Sequence, residues 1–375
     1  MEFRFTIALI YDFDGTLAPG NMQEYDFIPA VGKSNKEFWT EANTLAEEQD
    51  ADMVLTYMAR MLQEAKSKGL SLRREAFQDS GRRVTLYKGV KEWFEQFEQP
   101  VLKEVDISGI NSPNAILMQA RGGKILGEIN GEAQIYPASM TKIMTVILGI
   151  ENFDDLDEKI TLTNEMFTGL YEQDATQAGF QPGEEVRVID LLYGAMLPSG
   201  AECCIALADT ISGSEADFAE LMNKKARKLG MENTHFCDST GLHNPDHYST
   251  VKDIAVLMKY CIKNDTFREI VETSRHSTGV TNIHPDGITY YSTMFKNLSD
   301  PTVTGGKILG GKTGYTSEAG HCLGSFAEIE GREYIFVSAG ASGADGNTIP
   351  HIQDAVTVYN RVGAAVEAKM NDNNK

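Results

Sequence analysis

Ser139-Met140-Thr141-Lys142 sets a hydroxyl and an amine three residues apart, a spacing that brings both side chains to one face of a helix. A serine oxygen becomes a nucleophile when a base takes its proton. A neutral lysine is such a base once burial or a neighbouring cation lowers its pKa from about 10.4 toward neutrality. Lys312-Thr313-Gly314 can supply that cation from a glycine-rich, strand-like run starting near Lys307, and its glycine lets a substrate lie close against the strand edge. A second Ser-x-x-Lys, Ser249 to Lys252, has a plainer reading: Ser249 or Thr250 caps the following helix and Asp253 suits its first turn. Ser139 has the same plain alternative, because it follows Pro137-Ala138 at the start of a helix running to Ile150. A separate pair of carboxylates, Asp12 and Asp14, lies in a loop, Asp12-Phe13-Asp14-Gly15-Thr16, after a buried-strand pattern from Thr6 to Tyr11.

The elements that position these groups fall into two halves, as expected for 375 residues with two cores. Residues 36 to 68 and 71 to 98 follow helical spacing with Gly69 and Gly89 as punctuation, and the period is lost between Glu98 and Pro113. Beyond that junction, Ala115 to Ala120 and Lys124 to Ile129 read as a hairpin around Arg121-Gly122-Gly123, whose glycines accept positive φ. Helical patterns follow at 140 to 151, 189 to 197, 203 to 211, 216 to 229, 251 to 262 and 351 to 366, and strands at 307 to 316, 321 to 329 and 333 to 340. That order predicts an α+β domain in which the first hairpin pairs with the last strands of an antiparallel sheet and helices pack over it.

The order of five segments, PASMTKIMT, LLYGAMLPSGAE, NTHFCDSTGL, HYSTVKDIAVL and GGKTGYTSEAGHCL, resembles the serine D-alanyl-D-alanine carboxypeptidases, penicillin-binding enzymes with a β-lactamase/transpeptidase-like fold. The resemblance covers about 113 to 363. It implies Ser139 as the acylated nucleophile, Lys142 as its base and Ser199 as a proton relay to the leaving amine. It implies further that Lys312 and Thr313 hold the substrate's terminal carboxylate, with Gly314 and Tyr315 also contacting substrate and the N–H groups of Ser139 and Tyr315 forming the oxyanion hole. No cofactor is implied. The expected partners are a peptidoglycan stem peptide ending in D-Ala-D-Ala and β-lactam antibiotics. Where the family has Ser-x-Asn, this chain has Ser199-Gly200-Ala201, so an alternative is a penicillin-binding domain with impaired turnover. The next residue, Glu202, is open to more than one placement. A β-lactamase would share Ser139, Lys142 and Lys312, but no ExxxN-like deacylation motif falls between Ser199 and Lys312. His235, His243 and His247 are read as hydrogen-bonding loop residues rather than metal ligands.

Asp12-Phe13-Asp14-Gly15-Thr16-Leu17 resembles the first motif of haloacid-dehalogenase-like phosphatases, against the plainer reading of an acidic turn closed by Gly15. The resemblance implies a truncated, mainly helical fragment of an α/β domain at 1–100, with Asp12 and Asp14 as metal candidates and a magnesium-dependent phosphatase as a lesser alternative. The remaining divisions are a linker at 101–112, a catalytic domain at 113–368 and a polar tail at 369–375. A net charge of −20 argues against a nucleic-acid partner, which needs clustered Lys and Arg. Five cysteines, two of them adjacent, suggest buried thiols rather than a disulfide framework. No signal peptide, transmembrane segment or membrane anchor is legible, so a cytoplasmic location competes with the envelope location that the resemblance implies.

Overall fold

The computed structural model of the chain describes residues 24, 27–48, 53–68, 102–298, 300–343 and 349–373. The predicted strand from Thr6, the carboxylates Asp12 and Asp14 and the helical pattern of 71 to 98 lie outside these residues. The chain divides into two units, Met1–Glu98 and Gln99–Lys375. In the first, α1 (Phe27–Ala30) precedes two longer helices, α2 (Asn35–Glu48) and α3 (Met53–Lys68), which account for the helical spacing from 36 to 68. Phe38 and Ala42 of α2 and Ala65 of α3 are buried, and Trp39 meets Tyr57 edge to face at 5.5 Å.

The second unit is built on a six-stranded sheet in the order β2-β1-β10-β9-β8-β7. Its members are β1 (Asn114–Gln119), β2 (Ile125–Ile129), β7 (Thr302–Val303), β8 (Gly306–Thr316), β9 (Gly320–Ile329) and β10 (Arg332–Ala341), and all pairings are antiparallel. The first hairpin therefore pairs with the last strand, Asn114 opposite Ala339, as the order of elements predicted. Gly122 and Gly123 turn that hairpin at φ of 83° and 71°, values open to glycine at little cost. Two small ribbons stand apart, β3 (Lys159–Thr161) with β4 (Glu185–Arg187) and β5 (Arg275–Ser277) with β6 (Thr289–Tyr291). Neither is long enough to show a period in the sequence.

The sheet is covered on both faces, which explains why its strands read as nearly continuous apolar runs. Side chains alternate along β1: Ile116 and Met118 enter one core, while Ala115 and Leu117 enter the other. The larger core receives α4 (Lys142–Asn152), α5 (Val188–Met196), α6 (Ala201–Ser212), α7 (Glu215–Leu229), α8 (Val251–Cys261) and α9 (Asp265–Glu272). The period did not reveal α9, because eight residues span barely two turns; Asn264 caps it by accepting the Phe267 N–H. Against the opposite face lies α10 (Pro350–Asn373), with Tyr359, Val362 and Val366 buried. This helix continues through most of the stretch read as a polar tail, and Met370 packs against the core.

Leu102, Val105 and Ile107, in the stretch read as a linker, are buried in that same second core, and the Val105 N–H bonds to Leu126 O at 2.8 Å. Asp354 of α10 secures the same segment. Its Oδ1 accepts the Asn111 backbone and side-chain N–H groups at 2.8 and 2.7 Å, and its Oδ2 accepts the Ser112 N–H and hydroxyl at 2.8 and 2.6 Å. Asp354→Ala leaves several of these donors without a partner and is expected to lower stability by about 3 kcal/mol. Urea unfolding measures it, and a change within error of zero would show that water takes over the donors.

Candidate active site

Ser139 sits in a turn of 3₁₀ helix, Ala138–Thr141, that runs directly into α4. The sequence places the Ser-x-x-Lys pair on one face at the start of a helix. The tighter turn suits the pair better, since side chains three residues apart are eclipsed in a 3₁₀ helix. Lys142 Nζ lies 2.9 Å from Ser139 Oγ. Ser139 does not act as a helix cap, because neither the turn nor α4 is capped by a side chain. At the second Ser-x-x-Lys, Thr250 accepts the Asp253 N–H at 3.0 Å as the cap of α8, and Lys252 pairs with Glu132. The capping reading holds there.

Lys142 is buried, and its Nζ also donates to the Thr240 carbonyl at 2.7 Å. Burial lowers its pKa, while Cys204, Asp238, Glu202 and Cys203 act in the opposite direction. Lys312, on β8, is fully buried; its Nζ donates to Ser199 Oγ at 3.0 Å and to Thr313 O at 2.9 Å. Burial pushes the Lys312 pKa well down, and the charge of Lys142 pushes it further. The charge of Lys142 thus opposes the ionisation of Lys312, as two neighbouring ammonium groups do.

Gly314 brings the two halves together. A Cβ there would lie 3.0 Å from the Ser139 nitrogen and 3.2 Å from Pro137 O, so the bare backbone lets β8 approach the nucleophile's turn. The sequence assigned that closeness to the substrate; the structure uses it for Ser139 itself. Thr313 Oγ1 lies 2.6 Å from Thr293 Oγ1, and Tyr315 is 61% exposed with its ring 4.6 Å from that of His321. On its outer edge β8 is paired by β7 only as far as Lys307, so residues 312 to 316 form an edge to which an extended peptide can add.

Ser199 and Ala138 adopt positive φ, 71° and 47°, and Ser139 adjoins one of them. Non-glycine residues in this region cost about 1–3 kcal/mol each and concentrate at functional sites. Ala201 begins α6 as a buried methyl, with no polar group in the place of the family's Asn. Glu202 is fully buried, and its Oε1 accepts the N–H groups of Ala178 and Gly179 at 2.6 and 2.9 Å. Burial raises its pKa against those hydrogen bonds. This carboxylate fastens the 178–179 loop.

Sequence reasoning missed Thr240, whose carbonyl holds Lys142, Thr293, which meets Thr313, and Asp238. Asp238 was detectable: Asp followed by Thr and Gly two and three residues later suits an Asx turn. His247, read as a loop histidine, is buried between Thr141 and Asp238. Among the described residues no group of three or more His, Cys, Asp or Glu side chains could hold a metal ion, and no helix is long and apolar enough to cross a membrane.

The profile of the D-alanyl-D-alanine carboxypeptidase family matches residues 101–343. The chain is 35% identical over 233 residues to the D-alanyl-D-alanine carboxypeptidase DacF of Bacillus subtilis, covering 61% of this chain and 57% of that protein. It is also 35% identical over 209 residues to DacC of Escherichia coli, covering 49% and 51%. It thus spans a little over half the length of these curated relatives. Among solved structures, a Streptomyces DD-transpeptidase superposes with a TM-score of 0.61 at 27% identity, over 70% of this chain and all of that one. A variant of the same enzyme gives 0.62 at 30% identity, over 68% and 98%.

Proposed function

The chain belongs to the D-alanyl-D-alanine carboxypeptidase family, and from that premise we propose that it is an acyl-serine carboxypeptidase acting on peptides that end in D-Ala-D-Ala. The observation that carries the reading is the pairing of Ser139 with Lys142 at 2.9 Å beside a second pair, Ser199 with Lys312 at 3.0 Å. Lys142 takes the Ser139 proton as Oγ attacks the penultimate carbonyl, and N–H groups of Ser139 and Tyr315 face the developing oxyanion. The bond to the terminal D-alanine breaks, and Ser199 passes a proton to the leaving amine. Lys312 and Thr313 hold the substrate's carboxylate. Water then attacks the acyl-serine and returns the proton to Ser139. β-Lactams enter by the same attack and remain as acyl-enzymes. The substrate class sets the place of action at the cell envelope.

The direct test is release of free D-alanine from a synthetic D-Ala-D-Ala peptide, followed together with the lifetime of a penicillin adduct by intact mass. Ala201 favours a second outcome of that experiment, release of no more than about one equivalent of D-alanine as the acyl-serine forms and then persists for hours, because no amide is present to orient the later step. Absence of both adduct and release would refute the reading.

The paired lysines also predict a pH profile. With both charged, no base is present; with one charged, Lys142 can act as base beside a cationic Lys312; with neither, the carboxylate is no longer held. The acylation rate should therefore rise and then fall with pH, its rising limb lying below the ordinary lysine value of 10.5 because burial depresses both lysines and the charge of Lys142 depresses Lys312 further. A rate still climbing at that value would contradict the assignment.

A further inference from the structure

The turn Asp238-Ser239-Thr240-Gly241 touches the nucleophile's segment repeatedly without any role in the chemistry above. Asp238 Oδ1 accepts the Thr240 N–H, the Thr240 hydroxyl and the Gly241 N–H, each at 2.7 Å. Those bonds fix the peptide that follows, and the Thr240 carbonyl meets Lys142 Nζ at 2.7 Å. The second Asp238 oxygen lies 3.2 Å from His247 Nδ1, which also accepts the N–H of the adjoining Cys237 at 3.2 Å, and His247 Nε2 lies 2.8 Å from the hydroxyl of Thr141, the residue before Lys142. Ser239 completes the clasp: its N–H and hydroxyl donate to Glu215 at 3.0 and 2.6 Å, and its carbonyl accepts the Thr145 hydroxyl at 2.6 Å. One face of the 139–145 segment is thus held by the turn through Thr141, Lys142 and Thr145.

We propose that Asp238 is a positioning residue for the base: it folds the turn that aims the Thr240 carbonyl at Lys142 Nζ and, through His247, fastens that turn to Thr141. The inference rests on Lys142 being the base. A carbonyl at 2.7 Å occupies one valence of Nζ and leaves another directed at Ser139 Oγ. Asp238 also acts through its charge. Burial opposes its ionisation, yet hydrogen bonds and charge from His247 and further bonds from Thr240 and Gly241 hold its pKa down to about 2. It is therefore an anion at working pH and favours the ammonium form of Lys142. The other charged or ionisable groups facing Lys142 are Glu202, Cys203 and Cys204 of α6 and Lys312 of β8, and those facing Asp238 include Glu215 and Cys237.

Geometry and charge separate in two variants. Asn at this position keeps an oxygen that accepts from Thr240 and Gly241 but removes the charge, whereas Ala removes both. Acylation by a labelled penicillin, measured against concentration and pH on the full chain, should slow roughly 100-fold in Asp238→Ala, in the maximal rate rather than in the half-saturating concentration. Asp238→Asn should recover most of that rate with its acid limb moved to lower pH, because Lys142 loses a stabilising anion. An Ala variant that melts cooperatively and acylates at the native rate overturns the proposal. If the Ala variant does not fold, the Asn variant decides, and an acid limb unmoved from native overturns it. If the native chain forms no adduct, the acyl-serine reading falls separately. The ¹⁵N resonance of Lys142 Nζ titrated in the native chain and Asp238→Asn then tests the positioning, with a midpoint that does not fall counting against it.

Discussion

Ser139→Ala is expected to abolish the penicillin adduct while leaving the fold intact. Ser139 Oγ is half-buried and its hydrogen-bonding neighbour is Lys142, so removing one oxygen opens no cavity of consequence and disturbs only that contact. The neighbouring lysine, already depressed by burial, keeps its bond to Thr240 O. Loss of a covalent nucleophile removes the acyl-enzyme path altogether, an effect of about 10⁴-fold or more on turnover. Intact mass after incubation with a labelled penicillin reads it directly. An adduct of equal yield on the Ala variant would move the nucleophile elsewhere, and Ser199, bonded to Lys312, would be the first residue to examine.

The second large effect is expected at a residue with no side chain. Gly241 has φ of 80°, and a Cβ there would lie 1.9 Å from Ala138 O, 2.5 Å from Ala138 C and 2.7 Å from Thr141 Oγ1. The first two contacts are with backbone, so Gly241→Ala cannot be absorbed by turning a side chain. The turn carrying Ser139 must move, and a displacement of about 1 Å at a reacting group costs on the order of 100-fold in rate. Gly122→Ala is the control: φ is 83° at the tip of the β1–β2 hairpin, but a Cβ there meets nothing within 4 Å. It should lower stability by about 1 kcal/mol and leave acylation unchanged. Acylation kinetics and thermal melts of the two variants check this contrast; equal activity losses would mean that backbone strain rather than displacement of Ser139 governs the rate.

Much of the second unit was legible because its signals are local. The apolar and glycine-rich runs of β8 to β10, the two glycines of the first hairpin and the Thr250 cap each depend on neighbours a few residues away, where residue pattern and dihedral preference act directly. The same holds for Ser139 and Lys142: a spacing of three residues brings them together in any helical turn, so their contact needed no knowledge of the fold. Lys312 was legible as a cation on a glycine-rich strand and Ser199 only through resemblance, and packing of the turn between α5 and α6 against β8 brings the two into contact. Tertiary structure alone decided the rest. The 3₁₀ form of the Ser139 turn depends on what packs around it, namely Gly241 and Gly314. The carbonyl of Thr240 carries no side-chain signature, and Glu202, adjacent to Ala201 in sequence, turns its carboxylate to a loop 23 and 24 residues away. Residues 102 to 107 lack a period because they follow the surface of a core built from β2 and α10 rather than a regular element. Short-range geometry is written in the order of residues, whereas contacts across long separations arise only when the whole chain has closed upon itself.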